Sequence, residues 1–442
     1  MTTPRLDRSS WPAPTRPVRI VHLGAGNFAR AHQAWYTMAA DGAGEWGISA
    51  FTGRGPQMAE RLAPQQGLYT LIERSGEGDR VSVVEVISEV HSGADLEAFL
   101  TVVAAPETAV VTLTVTEAGY RAPAAESGDG DATEEHAGVA TGDQIPTPPA
   151  RLARALAERH RRGGAPLAIV SCDNLHANGE VLRERTLAEL ERLEPQAVRW
   201  AEHELSFVST TVDRITPRTT DADRELVLQE LGLIDAGPVV TEPFSEWVLC
   251  GAFPAGRPEW ELAGARFVDD IEPWELRKLW LLNGAHSMLA YLGLLRGHAT
   301  VADAVADPEL NRLMDDYWDL AQRHLAGAAA LDLETYRGQL RTRFANPRIG
   351  YPLTQIAGDG LDKLRNRVVP VIRAARAAGR PAGPALAIVH AWAHWLTEDP
   401  ARADTDQNVE QLRMVLDAHT GEDARRGLLT LLDPEIDLWS AQ

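Results

Sequence analysis

Short apolar runs alternate with helix-like segments over the first part of the chain, and long helical patterns follow. Four runs predict buried strands, because each is short, apolar and bounded by turn residues: 18–23, 46–52, 109–116 and 166–170. After about Gly256 the strand signals fade, and apolar residues recur with the helical period, as in 310–327 and 383–399. We therefore expect an α/β domain over residues 1–260 and a mainly α-helical domain over residues 261–442.

The first predicted strand ends in a glycine-rich turn, GAGNFA, and a helix-like segment follows it. In such a GxGxxA turn, the first glycine permits a tight bend and the second lets a pyrophosphate approach the backbone. The order strand, turn, helix and second strand is that of a Rossmann-type domain that binds a dinucleotide; a glycine turn of purely structural use is the alternative. We predict five cofactor-binding residues in this turn: Gly24, Ala25, Gly26, Asn27 and Phe28.

The end of the second strand bears on the choice between NAD and NADP. It reads FTGR, residues 51–54, and lacks the acidic residue that binds the adenosine ribose of NAD. Arg54 suits a 2′-phosphate, which favours NADP, because arginine matches phosphate geometry. It is equally consistent with a solvent-exposed loop arginine, so both cofactors stay open.

Polar residues stand at the ends of two further strands. Asp173 and Asn174 follow the strand 166–170, and ligands of open α/β sheets bind beyond the carboxyl ends of strands. Asparagine is also a preferred helix cap, so a cap and a catalytic role are both open for Asn174. Asp213 and Arg214 end another strand-like segment, where a buried ion pair and a substrate contact are the two alternatives.

One apolar segment, 271–293, carries polar residues on a single side. On a helix that advances about 100° per residue, with Lys278 at zero, Glu275 lies near ~60°, His286 near ~80° and Asn283 near ~140°. Polar groups inside a buried helix need partners or a ligand. The alternative is that Lys278 reaches water while the other residues are core groups with satisfied hydrogen bonds.

Composition limits the classes of function. The 442 residues are 44% hydrophobic and 24% charged, which is ordinary globular composition and enough for two domains with separate cores. A net charge of -20 argues against nucleic acid as a partner, since such binding depends on Lys and Arg. No signal peptide and no apolar run of about 18 residues is visible, so we expect a soluble cytoplasmic protein without membrane contact.

Metal binding has little support in the sequence. Two cysteines exclude a disulfide framework and a four-cysteine zinc site. His390 and His394 lie four residues apart, but no acid or cysteine accompanies them at ligand spacing and tryptophans are interleaved, which favours packing. We expect no metal. The acidic, glycine-rich stretch 125–143 is consistent with a lid or with disorder.

Four segments together resemble the mannitol dehydrogenase family of polyol-specific long-chain dehydrogenases, which includes mannitol 2-dehydrogenase and fructuronate reductase. They are VHLGAGNFARAHQAWYT, VSCDNLHANG, TTVDRITP and KLWLLNGAHSMLAYLG. With smaller matches between them, the resemblance runs from about residue 19 to residue 365. It implies an N-terminal Rossmann-type domain, a largely α-helical C-terminal domain and metal-independent hydride transfer to or from a nicotinamide.

The resemblance also implies roles for individual residues. Lys278 is similar to the family's general acid/base, and Asn174 and Asn283 match the two asparagines that hold the reacting oxygen. A lysine accepts a proton near neutral pH only if its pKa falls from about 10.4 towards 7–8, by burial or a nearby cation. Two amide donors would stabilise a developing alkoxide. The matched positions imply an active site in the cleft between the domains.

Further matches concern the substrate. His286 matches the substrate-orienting histidine, Asp213 a substrate-pocket aspartate and Glu275 a proton-relay glutamate. The stretch LTQIAGDG, where mannitol-specific relatives usually have paired arginines, is closer to the fructuronate reductase pattern. A sugar acid needs a cation for its carboxylate, and three candidates follow: Lys363, Arg365 and Arg367.

We therefore expect an NAD(P)-dependent enzyme that interconverts an open-chain polyol or aldonate with its 2-keto sugar. Mannitol/fructose and mannonate/fructuronate are the leading pairs, and the sequence does not rank them. Lys363 is the predicted contact to a substrate carboxylate. A nicotinamide-binding regulator without catalysis is the rival, and the sequence leaves the oligomeric state open.

Overall fold

The computed structural model describes residues 3–53, 55–115 and 147–440, apart from the side chain of Ala328. The chain divides into two compact units, Met1–Ile271 and Glu272–Gln442. The first is a Rossmann-type α/β unit and the second is mainly α-helical, which confirms the predicted fold class. Nowhere in the described ranges is a helix both long enough and apolar enough to cross a bilayer.

Eleven strands are described, all in the first unit: β1 (Val18–Leu23), β2 (Gly47–Phe51), β3 (Tyr69–Arg74), β4 (Asp79–Val84), β5 (Ile87–His91), β6 (Val110–Leu113), β7 (Leu167–Ser171), β8 (Leu205–Asp213), β9 (Val239–Thr241), β10 (Glu246–Cys250) and β11 (Arg266–Phe267). Eight of them form one sheet in the order β11-β10-β8-β7-β6-β1-β2-β5. From β5 to β8 all neighbours are parallel, and β10 is antiparallel to β8. Strand order reverses between β1 and β6, which is where doubly wound sheets bind ligands.

Because the strands are parallel, their sequences are continuous apolar runs and do not alternate between apolar and polar residues. Helices cover both faces of a parallel sheet, so both sets of side chains are buried. In β1, Ile20 lies in the core on one face, whereas Val21 and Leu23 lie in the core on the other. The helices of this unit are α1 (Asn27–Ala31), α2 (Gln33–Ala40), α3 (Gln57–Leu62), α4 (Leu96–Ala104), α5 (Pro148–Arg161), α6 (Asn178–Leu193), α7 (Pro195–Glu204) and α8 (Asp221–Leu231).

A second, three-stranded sheet in the order β4-β3-β9 was not predicted from the sequence. Its parallel pair joins residues that are far apart in the chain, with Leu71 opposite Val239 and Glu73 opposite Thr241. The segment 261–271, which the sequence pattern placed with the second domain, belongs to the first unit. Within it, β11 pairs with β10 and extends the large sheet.

The second unit is built around one helix that packs against several others. Its helices are α9 (Glu272–Arg277), α10 (Gly284–Leu295), α11 (Val301–Ala306), α12 (Pro308–Gln322), α13 (Leu333–Phe344), α14 (Leu353–Ala357), α15 (Gly360–Arg367), α16 (Val369–Ala377), α17 (Gly383–Glu398), α18 (Val409–Ala418) and α19 (Gly421–Leu432). The central helix is α10, which contacts α11, α12, α14 and α17. A π-helical segment, Lys278–Asn283, joins α9 to α10.

A buried arginine, Arg159 in α5, ties together the connections that lead into β6 and β7. Its guanidinium is almost completely buried and donates to five backbone carbonyls within 3 Å: Val103, Ala105, Thr108, Ala165 and Pro166. Burial lowers the pKa of Arg159 to about 10. Because the five acceptors are carbonyls of loop and helix-end residues, one side chain replaces the hydrogen bonds that regular structure would supply.

We predict that Arg159→Met destabilises the first unit by about 3 kcal/mol or more, because each buried carbonyl that loses its donor costs about 1–3 kcal/mol. Urea unfolding of the full chain measures the change. The control is Arg161→Met on the same helix, whose exposed guanidinium pairs with Glu158 and Glu194. That variant should cost less than about 1 kcal/mol. Equal effects of the two substitutions would contradict the role assigned to Arg159.

Candidate active site

The glycine turn after β1 has one glycine that the fold requires and one that it does not. Gly24 has φ +106°, and a Cβ there would overlap the carbonyl of Thr114. The N–H groups of Gly24 and Ala25 both donate to the Phe51 carbonyl at 2.9 Å, which joins the ends of β1 and β2. At Gly26 a Cβ would meet only the Gly24 carbonyl, at 3.7 Å. The backbone at Gly26 therefore has open space beside it, as a turn that receives a pyrophosphate needs.

Arg30 supports this turn, and the sequence analysis did not identify it. Its Nε donates to the Gly26 carbonyl at 3.2 Å, and its Nη2 donates to Oδ1 of Asn27 at 2.8 Å. Nη1 donates to the Gly237 carbonyl, and burial lowers the pKa of Arg30 to about 10. Because the amide oxygen of Asn27 is engaged by Arg30, the amide nitrogen is oriented away as a donor. The spacing of an arginine three residues after Asn27 was the available signal.

The residues that would distinguish NAD from NADP are only partly described. Arg54, the predicted 2′-phosphate contact, lies outside the described residues, as does the acidic stretch 125–143. At the end of β2, Phe51 stacks on His91 with a ring separation of 4.6 Å, and Thr52 accepts a hydrogen bond from the Gly93 N–H.

Asn174 stands exposed at the carboxyl end of β7, and it is not a helix cap. The next helix, α6, begins at Asn178, and its cap position is Ala177. Asp173 has a structural role instead: its carboxylate accepts from the Ser171 hydroxyl at 3.0 Å and from the Val115 N–H. The capping alternative for Asn174 is therefore excluded, while its catalytic role stays a prediction.

Asp213 and Arg214 are adjacent in sequence but have different surroundings. Asp213 ends β8, is buried, and lies at the same edge of the sheet as Asn174, because β7 and β8 are parallel neighbours. Arg214 makes a buried ion pair with Glu73 of β3 at 2.9 Å and lies over the ring of Trp35. Of the two alternatives for this motif, a buried ion pair forms for Arg214 and ties the small sheet to the end of β8, while a substrate contact of Asp213 stays a prediction.

In the second unit, the polar segment 271–293 is not a continuous α-helix. Lys278–Asn283 is π-helical, and the Gly284 N–H donates to the Leu279 carbonyl, five residues back. Trp318 of α12 donates its indole N–H to the Leu281 carbonyl at 2.8 Å. A Cβ at Gly284 would overlap the hydroxyl of Tyr317, so only glycine fits.

This π-helical segment changes the geometry expected from the sequence. A π turn bonds residue i to residue i+5, so Lys278 and Asn283 lie one wide turn apart instead of about 140° apart on an α-helix. Both side chains are half-buried, and Glu275 and His286 are buried. The ring of His286 lies 4.7 Å from Phe344 and 5.8 Å from Tyr351. π segments are frequent at functional sites.

Lys363, the predicted substrate contact, lies on α15. Its Nζ donates to the carbonyls of Ile356 and Gly358, at 3.1 and 2.5 Å. Burial, with Arg367 nearby, lowers the pKa of Lys363. An ammonium group has three donors, so these bonds fix its position and leave one for a ligand.

The chain's use of basic residues gives a signal that the sequence analysis missed. Of its 43 basic residues, 41 are arginine and only two are lysine, Lys278 and Lys363. Arginine stays charged in proteins, whereas lysine can lose its proton when its surroundings lower the pKa. Both lysines are residues that the sequence placed in the site.

The histidine pair considered for metal binding has structural contacts. His390 hydrogen-bonds to the Leu438 carbonyl at 2.7 Å and stacks on Trp439. His394 lies 3.4 Å from Glu398, one helical turn further along. In the part of the chain that the structure covers, no three His, Cys, Asp or Glu side chains are grouped as metal ligands.

Comparison with known proteins identifies the chain. Residues 18–262 match the mannitol dehydrogenase Rossmann domain, and residues 270–432 match the mannitol dehydrogenase C-terminal domain. The protein is thus a two-domain oxidoreductase of the Rossmann type. It belongs to the mannitol dehydrogenase family, which confirms the resemblance seen in the sequence.

Three relatives illustrate the similarity. D-mannonate oxidoreductase of Escherichia coli (strain K12) is 36% identical, over 83% of this chain and 77% of the relative. The uncharacterized oxidoreductase YeiQ of the same organism is 37% identical, over 84% of this chain and 76% of the relative. The ternary complex of Pseudomonas fluorescens mannitol 2-dehydrogenase with NAD and D-mannitol superposes with a TM-score of 0.75, at 32% identity and 97% coverage of both chains.

We predict that Gly284→Ala destabilises the protein by about 1–3 kcal/mol, as overpacking does, and lowers turnover. The added methyl group displaces Tyr317 and with it the turn that stacks Lys278 and Asn283. Gly338→Ala in α13 is the matched control, because a Cβ there meets no atom within 4 Å. It should be neutral or stabilising by up to about 1 kcal/mol. Urea unfolding of both variants decides, and a neutral Gly284→Ala would count against the packing argument.

A second prediction separates the two glycines of the turn. Gly26→Ala should keep the wild-type melting temperature and weaken dinucleotide binding at least about tenfold, a loss of about 1.4 kcal/mol. Gly24→Ala should lose both folding stability and binding, because the carbonyl of Thr114 occupies the space. NADH titration by fluorescence and thermal unfolding are the measurements. Unchanged NADH affinity in Gly26→Ala would show that no pyrophosphate lies against this backbone.

Proposed function

We propose that the protein is an NAD(P)-dependent dehydrogenase that interconverts an alcohol of an open-chain polyol or aldonate with the ketone of a 2-keto sugar. Mannitol/fructose and mannonate/fructuronate are the two leading pairs, and the names of the relatives are in accord with both. The observation that carries the proposal is the π-helical turn that stacks Lys278 and Asn283 in the unit after a dinucleotide-type Rossmann domain.

Oxidation of a secondary alcohol removes a hydride from carbon and a proton from the hydroxyl. The bound nicotinamide supplies the hydride acceptor in oxidation and the hydride donor in reduction. In the proposed mechanism Lys278 takes the hydroxyl proton as its uncharged amine, and it returns the proton when the ketone is reduced. Arginine could not replace it, because the guanidinium does not release its proton near neutral pH.

The remaining residues stabilise and orient the reacting group. Asn283, and Asn174 from the first unit, donate their amide N–H groups to the oxygen as negative charge develops on it. Glu275 precedes Lys278 by three residues, which places the two side chains on neighbouring positions of the helix for proton relay. His286 orients the substrate, and its ring is fixed by Phe344.

The substrate chain and the cofactor use the other predicted residues. Asp213 accepts hydrogen bonds from substrate hydroxyls, and Lys363 donates its remaining N–H to an oxygen of the substrate. The cofactor pyrophosphate lies against the turn of Gly24, Ala25, Gly26, Asn27 and Phe28, and Arg54 contacts the adenosine end. No step in this proposal is assigned to a metal ion, because Lys278 and two amides accept the proton and stabilise the oxygen.

We predict that Lys278→Ala lowers kcat/KM at least about 10³-fold in both directions, within the usual range for a lost general acid/base. NADH affinity should stay within about twofold, since the lysine lies outside the glycine turn. Lys278→Arg is the matched control: it keeps the charge and most of the volume, but it cannot act as a base. Turnover is followed by NADH and NADPH absorbance with fructose and with fructuronate.

Three results would oppose this assignment. Activity in Lys278→Arg would mean that only the charge is needed, and loss of NADH binding in Lys278→Ala would mean that the lysine holds the cofactor. Tight NADH binding by the wild type, without turnover of any polyol or sugar acid, would favour the non-catalytic regulator.

A further inference from the structure

The three cations considered for a substrate carboxylate, Lys363, Arg365 and Arg367, have different partners in the structure. Arg365 donates to the carbonyls of Leu431 and Leu432 at the end of α19, at 2.8 and 3.2 Å. Its third contact is with Asp362 at 3.4 Å. Arg365 therefore caps a helix terminus, which is the usual use of a basic side chain at that position. Three of its five N–H donors are engaged, and its charge is paired with Asp362, which makes it a poorer anion site than Arg367.

Arg367 is the cation without an acidic partner. Among the described residues, its guanidinium makes one hydrogen bond, to the Ser287 hydroxyl at the long distance of 3.5 Å. Within the described ranges, no carboxylate lies at ion-pair distance from it. Asp359 raises the pKa of Arg367 only weakly against the effect of burial, and its carboxylate accepts from the Gln407 N–H at 3.1 Å. A guanidinium has five N–H donors in a fork that matches a carboxylate, so most of this donor capacity is unused.

The buried surroundings of Arg367 make an unpaired positive charge there unfavourable in the absence of an anion. Burial lowers the pKa of Arg367. Burial also raises the pKa values of Tyr291, Tyr317 and Tyr351, so these phenols are uncharged and do not neutralise the guanidinium. The Tyr317 hydroxyl donates to the backbone carbonyl of Arg367 at 3.3 Å. This bond positions the backbone of Arg367 but does not involve the guanidinium. A partly buried cation that lacks an acidic partner gains stability when a carboxylate arrives.

Arg367 also lies next to the residues proposed to bind the reacting group. Its contact Ser287 follows His286 directly, and the Ser287 hydroxyl donates to the Asn283 carbonyl at 3.2 Å. Tyr351 is close both to Arg367 and to His286, whose ring centroid is 5.8 Å from its own. The guanidinium is thus beside the helical turn that carries Asn283 and His286, at one side of the catalytic segment.

We propose that Arg367 binds the terminal carboxylate of an open-chain sugar acid and makes the protein prefer an aldonate over the corresponding polyol. The inference rests on the proposed function, since it names the substrate class of the same site. Lys363, one helical turn before Arg367 on α15, keeps a second positive charge nearby. Arg367 acts on specificity and takes no part in proton transfer.

Mannonate and mannitol form a matched substrate pair, because they differ only in a terminal carboxylate against a terminal CH2OH. Wild-type kcat/KM should favour mannonate by roughly 100-fold, the worth of a charge-assisted hydrogen-bonded pair. Arg367→Met should remove this preference by raising KM for mannonate, with kcat/KM for mannitol within about threefold of wild type. Arg367→Lys should recover part of the preference, because it restores the charge without the fork.

Arg365→Met is the matched control, since it removes an equal charge two residues away on the same helix. It should keep the preference for mannonate. Thermal unfolding and NADH titration of each variant separate lost structure from lost specificity. If Arg367→Met does not fold, inhibition of the wild type by gluconate and glucitol replaces it, and gluconate should bind roughly tenfold or more tightly.

The outcomes distinguish this inference from the proposed function. A wild type that oxidises mannitol as well as mannonate, or an Arg367→Met variant that loses both substrates equally, overturns the role of Arg367 and leaves the dehydrogenase intact. Equal inhibition by gluconate and glucitol does the same. Oxidation of neither mannitol nor mannonate, with NADH still bound, overturns the proposed function and the inference together.

Discussion

The proposed site in the second unit depends on one backbone feature, the π-helical turn from Lys278 to Asn283. A wide turn has poorer backbone geometry than an α-helix, so it persists only where neighbours stabilise it. Here Trp318 bonds a carbonyl inside the turn, and Tyr317 occupies the space that a side chain at position 284 would need. The core of α10 and α12 thereby sets the relative position of the Lys278 amine and the Asn283 amide, the two groups to which we assign proton transfer and stabilisation of the reacting oxygen.

Arginine and lysine occupy different kinds of position in this chain. Arg159, Arg30 and Arg214 are buried, and the guanidinium of each donates to backbone carbonyls or to a carboxylate. These tasks need a permanent charge with several donors in fixed directions. Lysine occurs twice, at Lys278, the proposed acid/base, and at Lys363, the proposed substrate contact. Arg367 has the buried surroundings of the structural arginines but lacks their partners.

Much of the fold followed from local patterns, because apolar runs and helical periods reflect burial directly. The glycine turn and the end of β7 were located in the same way. Three features were missed: the sheet of β3, β4 and β9, the backbone break at His32 between α1 and α2, and the support of Asn27 by Arg30. The sheet depends on residues that are distant in sequence and the break at His32 on a single backbone angle, so neither has a periodic signal. The Asn27–Arg30 contact has only a three-residue spacing as its signal, which many unpaired residues share.

The sequence by itself determined the family, the two-unit organisation and the residue types available for catalysis, because motifs and periodicities are local properties of the chain. Tertiary structure decided how those residues are used. It excluded a capping role for Asn174, paired Arg214 with Glu73, and placed the Arg365 guanidinium against the carbonyls at the end of α19. It also replaced an α-helical face by a π turn. These outcomes depend on packing between distant segments, and that packing determines which polar groups already have partners and which remain for a ligand.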